Sequence, residues 1–385
     1  MLQLCQKQKV HTLVQTSTLS LRADHPTTAH GSGSSSSSKT IRVKPGQSIQ
    51  KAIKSAPRGS HIIVEAGQYK EQLTIKTNDI ALTGESGATL LPPDLQVTNE
   101  CTRFAGPNDD KTPSQAGICI TGSGLDLEPF VSEHVRVKAV RKPVRGVKVS
   151  GLTVKGFSGF NILVVGAENT EISENKLVDS PKYGFLTAGS VDTTVSGNEI
   201  DFTKAGNRFI GLCMDNFSKV KVVGNRISNY FIGLCIQTDG AEVEDNSVSD
   251  ACVGAFLDPG VKDVRLRGNR FTDAFPSGCA GFGAAAISVD GAVGARIEKN
   301  FIRGWKTEDA KNLTAGITVV DDPCLAPSLS CQGLGIAAVA RDNVVEGNVL
   351  RGNDFDVFVN TTGSGNVFRR NRCATSNQEG VCRSS

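Results

Sequence analysis

A six-residue phrase returns along this chain about once every two dozen residues and limits what the chain can fold into. The phrase reads apolar-x-x-Asn-x-apolar, and its asparagines are spaced by 23, 27, 21, 23, 31, 48 and 23 residues. These asparagines are Asn175, Asn198, Asn225, Asn246, Asn269, Asn300, Asn348 and Asn371. Because this period leaves no room for a pair of helices, each repeat is expected to be one coil of strands in a solenoid. Asn tolerates the left-handed turn conformation, and stacked Asn side chains can hydrogen-bond along the column.

The composition fits a single elongated domain. Of 385 residues, 41 are Gly and one is Trp, so the core must be built from small and β-branched side chains. The net charge of +3 is too small to indicate a nucleic-acid partner. No apolar run is long enough to span a membrane. We expect a monomer.

Three regions are predicted along the chain. Residues 1–39, which end in a Ser-rich linker, are expected to be disordered. Their apolar stretch from Val10 to Leu21 is interrupted by polar residues and makes a weak signal peptide. Residues 40–372 are predicted to form the solenoid, and residues 373–385 a C-terminal tail.

The cysteines and sequons bear on the compartment. The chain has eleven cysteines, and three pairs are close enough in sequence to predict disulfides: Cys101–Cys119, Cys324–Cys331 and Cys373–Cys382. Glycosylation sequons begin at Asn216, Asn312 and Asn360. Both features favour a secreted protein, and the alternative is a cytoplasmic protein with reduced thiols and chance sequons. Cys213 and Cys235 are expected to be stacked free thiols, since an in-register parallel pair rarely suits disulfide geometry.

A second diagnostic segment precedes the repeats. From Ile41 to Pro57 the sequence reads as a strand, a turn and an amphipathic helix, expected near Gln47–Ser55, that would cap the open end of the solenoid. With the coils behind it, this segment resembles the start of the pectin-lyase-like right-handed parallel β-helix superfamily, over about residues 40–372. The resemblance implies an all-β, single-stranded right-handed parallel β-helix. It does not select a function, because that superfamily includes polysaccharide lyases, polygalacturonases, mannuronan epimerases, phage tailspikes and non-catalytic members.

Aligning the coils by their asparagines predicts which strand residues point outward. Side chains alternate along a strand, so the third and fifth residues of the strand that precedes each asparagine face out. The third-residue column is Leu163, Leu186, Cys213, Cys235, Phe256, Ser288, Thr318 and Phe358. The fifth-residue column is Val165, Ala188, Asp215, Gln237, Asp258, Asp290, Val320 and Asn360.

The carboxylates of the fifth-residue column are the candidate catalytic groups. Asp215, Asp258 and Asp290 would lie one or two strand spacings of about 4.8 Å apart. Those separations match the acid–base pairs of glycosidases, and Asp258 with Asp290 could instead bind Ca²⁺. The resemblance implies a saccharide groove on this sheet. The alternative is that each Asp ends its strand and accepts turn hydrogen bonds.

Other residues are candidates for substrate binding. Gln237 and Phe256 lie in the outward columns, whereas Lys182 and Arg208 would reach in from turns. Trp305 could stack on a sugar ring or pack its own loop against the coil. The five histidines all precede Val147, so the Gly-His-Gly motif of polygalacturonases is missing. Apart from Ca²⁺, no cofactor is indicated.

Two functional hypotheses remain. The first is a secreted enzyme that acts on a polysaccharide, expected to be acidic, by β-elimination or hydrolysis. The second is a β-helix without glycan chemistry. It would be a binding or structural protein, or a scaffold whose apolar outward residues Leu163, Leu186 and Phe256 hold a small hydrophobic metabolite.

Overall fold

A computed structural model describes residues 38–382 except 96, 103, 207, 273–278, 280–283, 307–313 and 326–328. The predicted disorder of residues 1–39 therefore falls almost entirely outside the described residues. The described part is built from three long parallel sheets that the chain visits in turn, coil after coil. Two short helices, α1 (Ile49–Ser55) and α2 (Leu329–Leu334), accompany them.

The sheets are called A, B and C. In spatial order sheet A contains β1 (Thr40–Val43), β2 (His61–Val64), β5 (Ala81–Gly84), β11 (Lys148–Ser150), β14 (Ala167–Ser173), β17 (Val191–Ser196), β20 (Ser218–Val223), β23 (Glu242–Glu244), β26 (Arg265–Arg267), β29 (Arg296–Glu298), β32 (Val344–Glu346) and β35 (Val367–Arg369), and β10 (Val144–Arg145) also pairs with β14. Sheet B contains β3 (Gly67–Lys70), β6 (Ala88–Leu91), β12 (Thr153–Lys155), β15 (Lys176–Val178), β18 (Glu199–Asp201), β21 (Arg226–Ser228), β24 (Ser247–Ser249), β27 (Arg270–Thr272), β30 (Phe301–Arg303) and β33 (Val349–Arg351). Sheet C contains β4 (Leu73–Ile75), β7 (Ala116–Thr121), β13 (Phe160–Val165), β16 (Tyr183–Ala188), β19 (Ile210–Asp215), β22 (Ile232–Ile236), β25 (Val253–Leu257), β28 (Ala284–Asp290), β31 (Thr314–Val320) and β34 (Phe355–Asn360). An antiparallel hairpin, β8 (Ser123–Leu127) and β9 (Val137–Lys142), stands apart.

This architecture confirms the predicted single-stranded parallel β-helix. Its strands run from Thr40 to Arg369, inside the predicted range of 40–372, although the division of the chain into three regions stays a prediction. Helix α1 lies where the amphipathic segment was expected and buries Ile49, Ala52 and Ile53 in the core. Its role as the cap of the solenoid stays a prediction. No helix in the described ranges is long and apolar enough to cross a membrane.

The repeated asparagines form a continuous hydrogen-bonded ladder at the turn between sheets A and B. Asn198 donates its backbone N–H and its Nδ2 to Oδ1 of Asn225, both at 2.9 Å. Asn225 donates in the same way to Asn246, and its Nδ2 also reaches the Val195 carbonyl at 2.9 Å. The ladder continues without a break from Asn175 to Asn371, and every rung is buried. The predicted stacking of these side chains is confirmed.

The predicted facing of the strand residues is also confirmed. Ile162 and Val164 of β13 lie in the main interior cluster, whereas Leu163 and Val165 point the other way into a second apolar cluster. The same alternation holds along β16, β19, β22 and β25. The solenoid therefore has a core inside its coils and a smaller one outside sheet C.

Five disulfides occur in the described part of the chain. The three predicted pairs, Cys101–Cys119, Cys324–Cys331 and Cys373–Cys382, are confirmed, and Cys252–Cys279 is an additional one. The prediction of free thiols at Cys213 and Cys235 was wrong, because the structure joins them as a disulfide. Their in-register pairing brings the two Cα atoms to 4.4 Å, the short end of the range that disulfides span.

We predict that replacing a central rung of the ladder destabilises the fold. Asn269→Ala removes the oxygen that accepts from both the backbone and the side chain of Asn246, and leaves buried donors without partners. The free energy of unfolding should fall by about 2–4 kcal/mol in urea titrations. The matched control is Asn366→Ala, at the partly exposed end of a shorter ladder that starts at Asn343. Equal losses in the two variants would contradict the importance of the buried ladder.

Candidate functional site

Part of the outward face of sheet C, over β13 and β16, is covered by the chain itself. The covering loop, residues 122–143, comprises the β8–β9 hairpin and its connection. Its residues Val135 and Val137 are buried in the outer apolar cluster with Leu163 and Leu186. Val137 lies so close to Gly189 that a Cβ at Gly189 would collide with it. The structure thus contradicts the hypothesis of a hydrophobic metabolite on this column, since the column is filled by the protein's own side chains.

The covering loop also brings two ionisable residues, Glu133 and His134, to the acidic column. His134, which is fully buried, places Nε2 3.2 Å from Oδ2 of Asp215 at the end of β19. Its Nδ1 lies 3.3 Å from the hydroxyl of Tyr183, which is fully buried on β16. The neighbouring residue, Glu133, has a φ of 55°, which is uncommon for a residue other than glycine.

Gln237 connects the covering loop to Asp258. Its Nε2 donates to Oε2 of Glu133 at 2.9 Å and to Oδ2 of Asp258 at 2.8 Å. The hydroxyl of Ser330, on α2, donates to the same Oδ2 at 2.7 Å. Oδ1 of Asp258 is buried and has no hydrogen-bond partner among the described residues. The predicted residues Asp215, Gln237 and Asp258 therefore belong to one buried-to-half-buried cluster with Glu133 and His134.

The electrostatics of this cluster favour the protonated form of its buried carboxyl groups. Burial raises the pKa of Asp258 well above its ordinary value, and the charges of Glu133 and Asp215 raise it further against the opposing hydrogen bonds. Burial likewise raises the pKa of Glu133, although His134 and Gln237 oppose that change. Two carboxyl groups on either side of one amide cannot both ionise without strong repulsion. Asp258, which is only 2% exposed, is the group better placed to stay protonated.

Asp290 stands in a separate acidic group. It ends β28, and its acidic neighbours are Asp322 and Asp321. Burial, followed by the charges of these two residues, raises the pKa of Asp290 to about 7. The column predicted as one stripe is thus divided electrostatically into an Asp215–Asp258 cluster and an Asp290 group.

The other residues predicted to bind substrate differ in exposure and in the groups that they contact. Lys182 donates to the carbonyls of residues 105, 106 and 107 and so fastens the preceding insertion. Arg208 is partly exposed and has no polar side-chain partner in the described ranges. Phe256 is 6% exposed within the outer apolar cluster. The stacking role for Trp305 was wrong, because its ring is fully buried against Phe271 in the main core.

The sequons differ in accessibility. Asn216 is buried, and its amide is held by Thr187 and Thr193, so the prediction of a glycan there was wrong for the folded chain. Asn360 is exposed. Asn312 lies outside the described residues.

A metal site stays a prediction. Within the described ranges, one set of three potential ligand residues lies close together, namely Asp322, Cys324 and Cys331, but both cysteines are in a disulfide. Ca²⁺ takes about six to eight oxygen ligands. Around Asp258 the Gln237 amide and the Ser330 hydroxyl already donate to Oδ2, which leaves Oδ1 as its unpaired oxygen.

Sequence reasoning missed Glu133, His134, Tyr183 and Ser330. The histidines were set aside because they precede the regular coils, yet an insertion can fold back onto any later coil. A weak signal was present, since Glu133 and His134 are adjacent ionisable residues between Val131 and Val135 in a long insertion.

We predict that Asp290 makes stability depend on pH. Because its folded-state pKa is raised, the unfolded chain loses this proton first as the pH rises. Stability should therefore fall between about pH 4 and pH 7, by on the order of 4 kcal/mol at most. Asp290→Asn should flatten this part of a plot of thermal midpoint against pH, whereas exposed Asp126→Asn should not. Parallel plots for the wild type and Asp290→Asn would contradict the prediction.

Comparison with known proteins supports the fold. Residues 137–302 match the sequence model of a family described as a right-handed beta helix region. The Dettilon tailspike protein shares 12% sequence identity with a TM-score of 0.51, over 87% of this chain and 68% of the tailspike. An alginate lyase from Paenibacillus sp. str. FPU-7 shares 14% identity with a TM-score of 0.48, over 90% of this chain and 99% of the lyase. The periplasmic alginate epimerase AlgG shares 10% identity with a TM-score of 0.49, over 88% of this chain and 84% of the epimerase.

No curated protein sequence gives a significant match. The repeats, the three parallel sheets and the family match agree on one architecture. The chain is a right-handed parallel β-helix, and its residues 137–302 match the family described by that fold.

Proposed function

We propose that this chain is a secreted glycan hydrolase in which Asp258 is the general acid and Asp215 the general base. The observation that carries the proposal is the contrast between the two carboxyl groups. Asp258 is buried beside Glu133, which raises its pKa well above the ordinary value, whereas Asp215 is partly exposed and faces an imidazole. Five disulfides support secretion, because such bonds persist in oxidising compartments.

The strand spacing places the two groups near the separation that inverting hydrolysis uses. Asp215 and Asp258 lie two strands apart on sheet C, a backbone separation of about 9.6 Å. Inverting glycosidases keep their carboxyl groups about 6.5–9.5 Å apart to admit a water molecule. In the proposed reaction Asp258 protonates the departing glycosidic oxygen as its bond to the anomeric carbon breaks. Asp215 accepts a proton from the water whose oxygen bonds to that carbon.

The charges of the site favour a neutral glycan. Glu133, Asp215 and Asp258 bring three carboxyl groups into one cluster, and the ammonium group of Lys182 is committed to backbone carbonyls. A uronate polymer would meet like charge there, and β-elimination needs that charge to be neutralised. Hydrolysis of a neutral polysaccharide is therefore favoured over elimination on the acidic polysaccharide that the sequence suggested.

Access to Asp258 depends on its hydrogen-bond partners. Gln237 and Ser330 are both partly exposed, and both donate to Oδ2 of Asp258. Ser330 lies on the six-residue helix α2, in the loop closed by the Cys324–Cys331 disulfide. We propose that the leaving oxygen of the glycan reaches the acid when this hydroxyl is displaced.

We predict hydrolysis of a neutral glycan that depends on both carboxyl groups. Purified protein is assayed on fructans, glucans and galactans, and on uronate polymers with and without Ca²⁺. Asp258→Asn and Asp215→Asn should each lower kcat by about 10²–10⁴-fold on the glycan that is cleaved, because each removes an acid–base group. Asp258→Asn should fold normally, since Asn imitates a protonated carboxyl group, and Asp126→Asn is the control for an exposed carboxylate.

Three results would overturn this proposal. Unsaturated uronate products would indicate a lyase. Full activity of Asp258→Asn would show that Asp258 only holds Gln237 and Ser330 in place. Failure to cleave any glycan of the panel would favour a binding or structural protein.

A further inference from the structure

Two buried rings lie behind Asp215, and the proposed chemistry assigns them no step. His134 comes from the covering loop and Tyr183 from β16, two elements about fifty residues apart in sequence. Both are 0% exposed, and their rings meet edge to face with centroids 5.8 Å apart. Phe160 stacks on Tyr183 at a centroid distance of 5.2 Å. Neither ring can therefore contact a polymer.

The hydrogen bonds of these rings run in one line that ends at Asp215. The Tyr183 hydroxyl lies 3.3 Å from Nδ1 of His134, and Nε2 lies 3.2 Å from Oδ2 of Asp215. In a neutral imidazole one nitrogen donates and the other accepts. If Nδ1 carried the hydrogen, the lone pair of Nε2 would face a carboxylate oxygen. The favourable arrangement has the phenol donating to Nδ1 and Nε2–H donating to Asp215.

This arrangement leaves one oxygen of Asp215 for chemistry. Oδ2 is held by His134, and Oδ1 has no hydrogen-bond partner among the described residues. Asp215 has 19% of its side chain exposed, whereas His134 has none. The carboxylate therefore has one fixed oxygen facing the protein and one oxygen available to water.

We propose that His134 and Tyr183 are positioning residues for Asp215. The phenol selects the imidazole tautomer, and the imidazole Nε2–H fixes the carboxylate so that Oδ1 faces the attacking water. The role of Asp215 as the base rests on the function proposed above, whereas the Tyr183–His134–Asp215 arrangement does not. The covering loop therefore contributes a positioning residue to the site in addition to burying the apolar residues beside it.

The kinetic test compares three variants on the glycan that is cleaved. His134→Ala should lower kcat by about 10²-fold, the effect of a misplaced catalytic group, with KM nearly unchanged. His134→Gln supplies an amide N–H and should restore most of kcat. Tyr183→Phe should lower kcat less, by about tenfold, because the ring still packs while the tautomer is no longer selected.

A merely structural role would give a different result. Loss of activity in His134→Ala through a raised KM, or loss of kcat that His134→Gln does not recover, would overturn the proposal. If His134→Ala fails to fold, the activities of His134→Gln and Tyr183→Phe test the proposal. Under the proposal His134→Gln stays active and Tyr183→Phe loses activity, and any other outcome contradicts it.

A second measurement does not depend on activity. Nitrogen-15 NMR of histidine-labelled protein, with His134→Gln to assign the signals, reports which nitrogen of His134 carries the hydrogen at neutral pH. We expect the Nε2–H tautomer in the wild type and a mixture of tautomers in Tyr183→Phe. An Nδ1–H tautomer in the wild type would overturn the inference. The expected tautomer in a protein that cleaves no glycan would instead show that the proposed function had failed while the arrangement stands.

Discussion

The register of the coils depends on the buried asparagine ladder. The Oδ1 of each asparagine accepts hydrogen bonds from the backbone N–H and the side-chain N–H of the preceding asparagine. A coil that slipped by one residue would therefore leave several buried polar groups without partners. Such a slip would also turn every strand residue to the opposite face. The ladder therefore keeps one outward column aligned over the length of sheet C. The alignment of Asp215, Gln237 and Asp258 on neighbouring strands follows from it.

The covering loop changes the chemistry of that column. On an open β-helix face, carboxylates would be hydrated and ionised. Here Val135 and Val137 seal the neighbouring apolar residues, and Glu133 and His134 enter between the coils and solvent. Removing water favours the neutral form of a carboxyl group and strengthens every remaining interaction with a nearby charge. One insertion thus helps to raise the pKa of Asp258 through Glu133 and places its histidine against Asp215.

The features that could be predicted from the sequence are those set by the spacing of the repeat or by short distances along the chain. The fold, the inward and outward faces, the acidic column and three disulfides all follow from spacing or from nearness along the chain. The sequence could not predict where an insertion returns to the solenoid, so Glu133, His134 and Ser330 were missed, and the outward column was taken to be open. Trp305 was misplaced because a lone aromatic residue at a turn can face either side. The prediction that Cys213 and Cys235 are free thiols was wrong. Their Cα atoms lie closer together than the ordinary spacing of neighbouring strands led us to expect.

The claim on which the functional account depends is that Asp258 stays protonated at neutral pH. Infrared difference spectra between the wild type and Asp258→Asn, recorded across the pH range in which both remain folded, detect the C=O stretch of a single protonated carboxyl group. The account predicts that this band is present at pH 7 and disappears only at alkaline pH. A band that is already lost near pH 4 would show an ordinary ionised carboxylate and contradict the account.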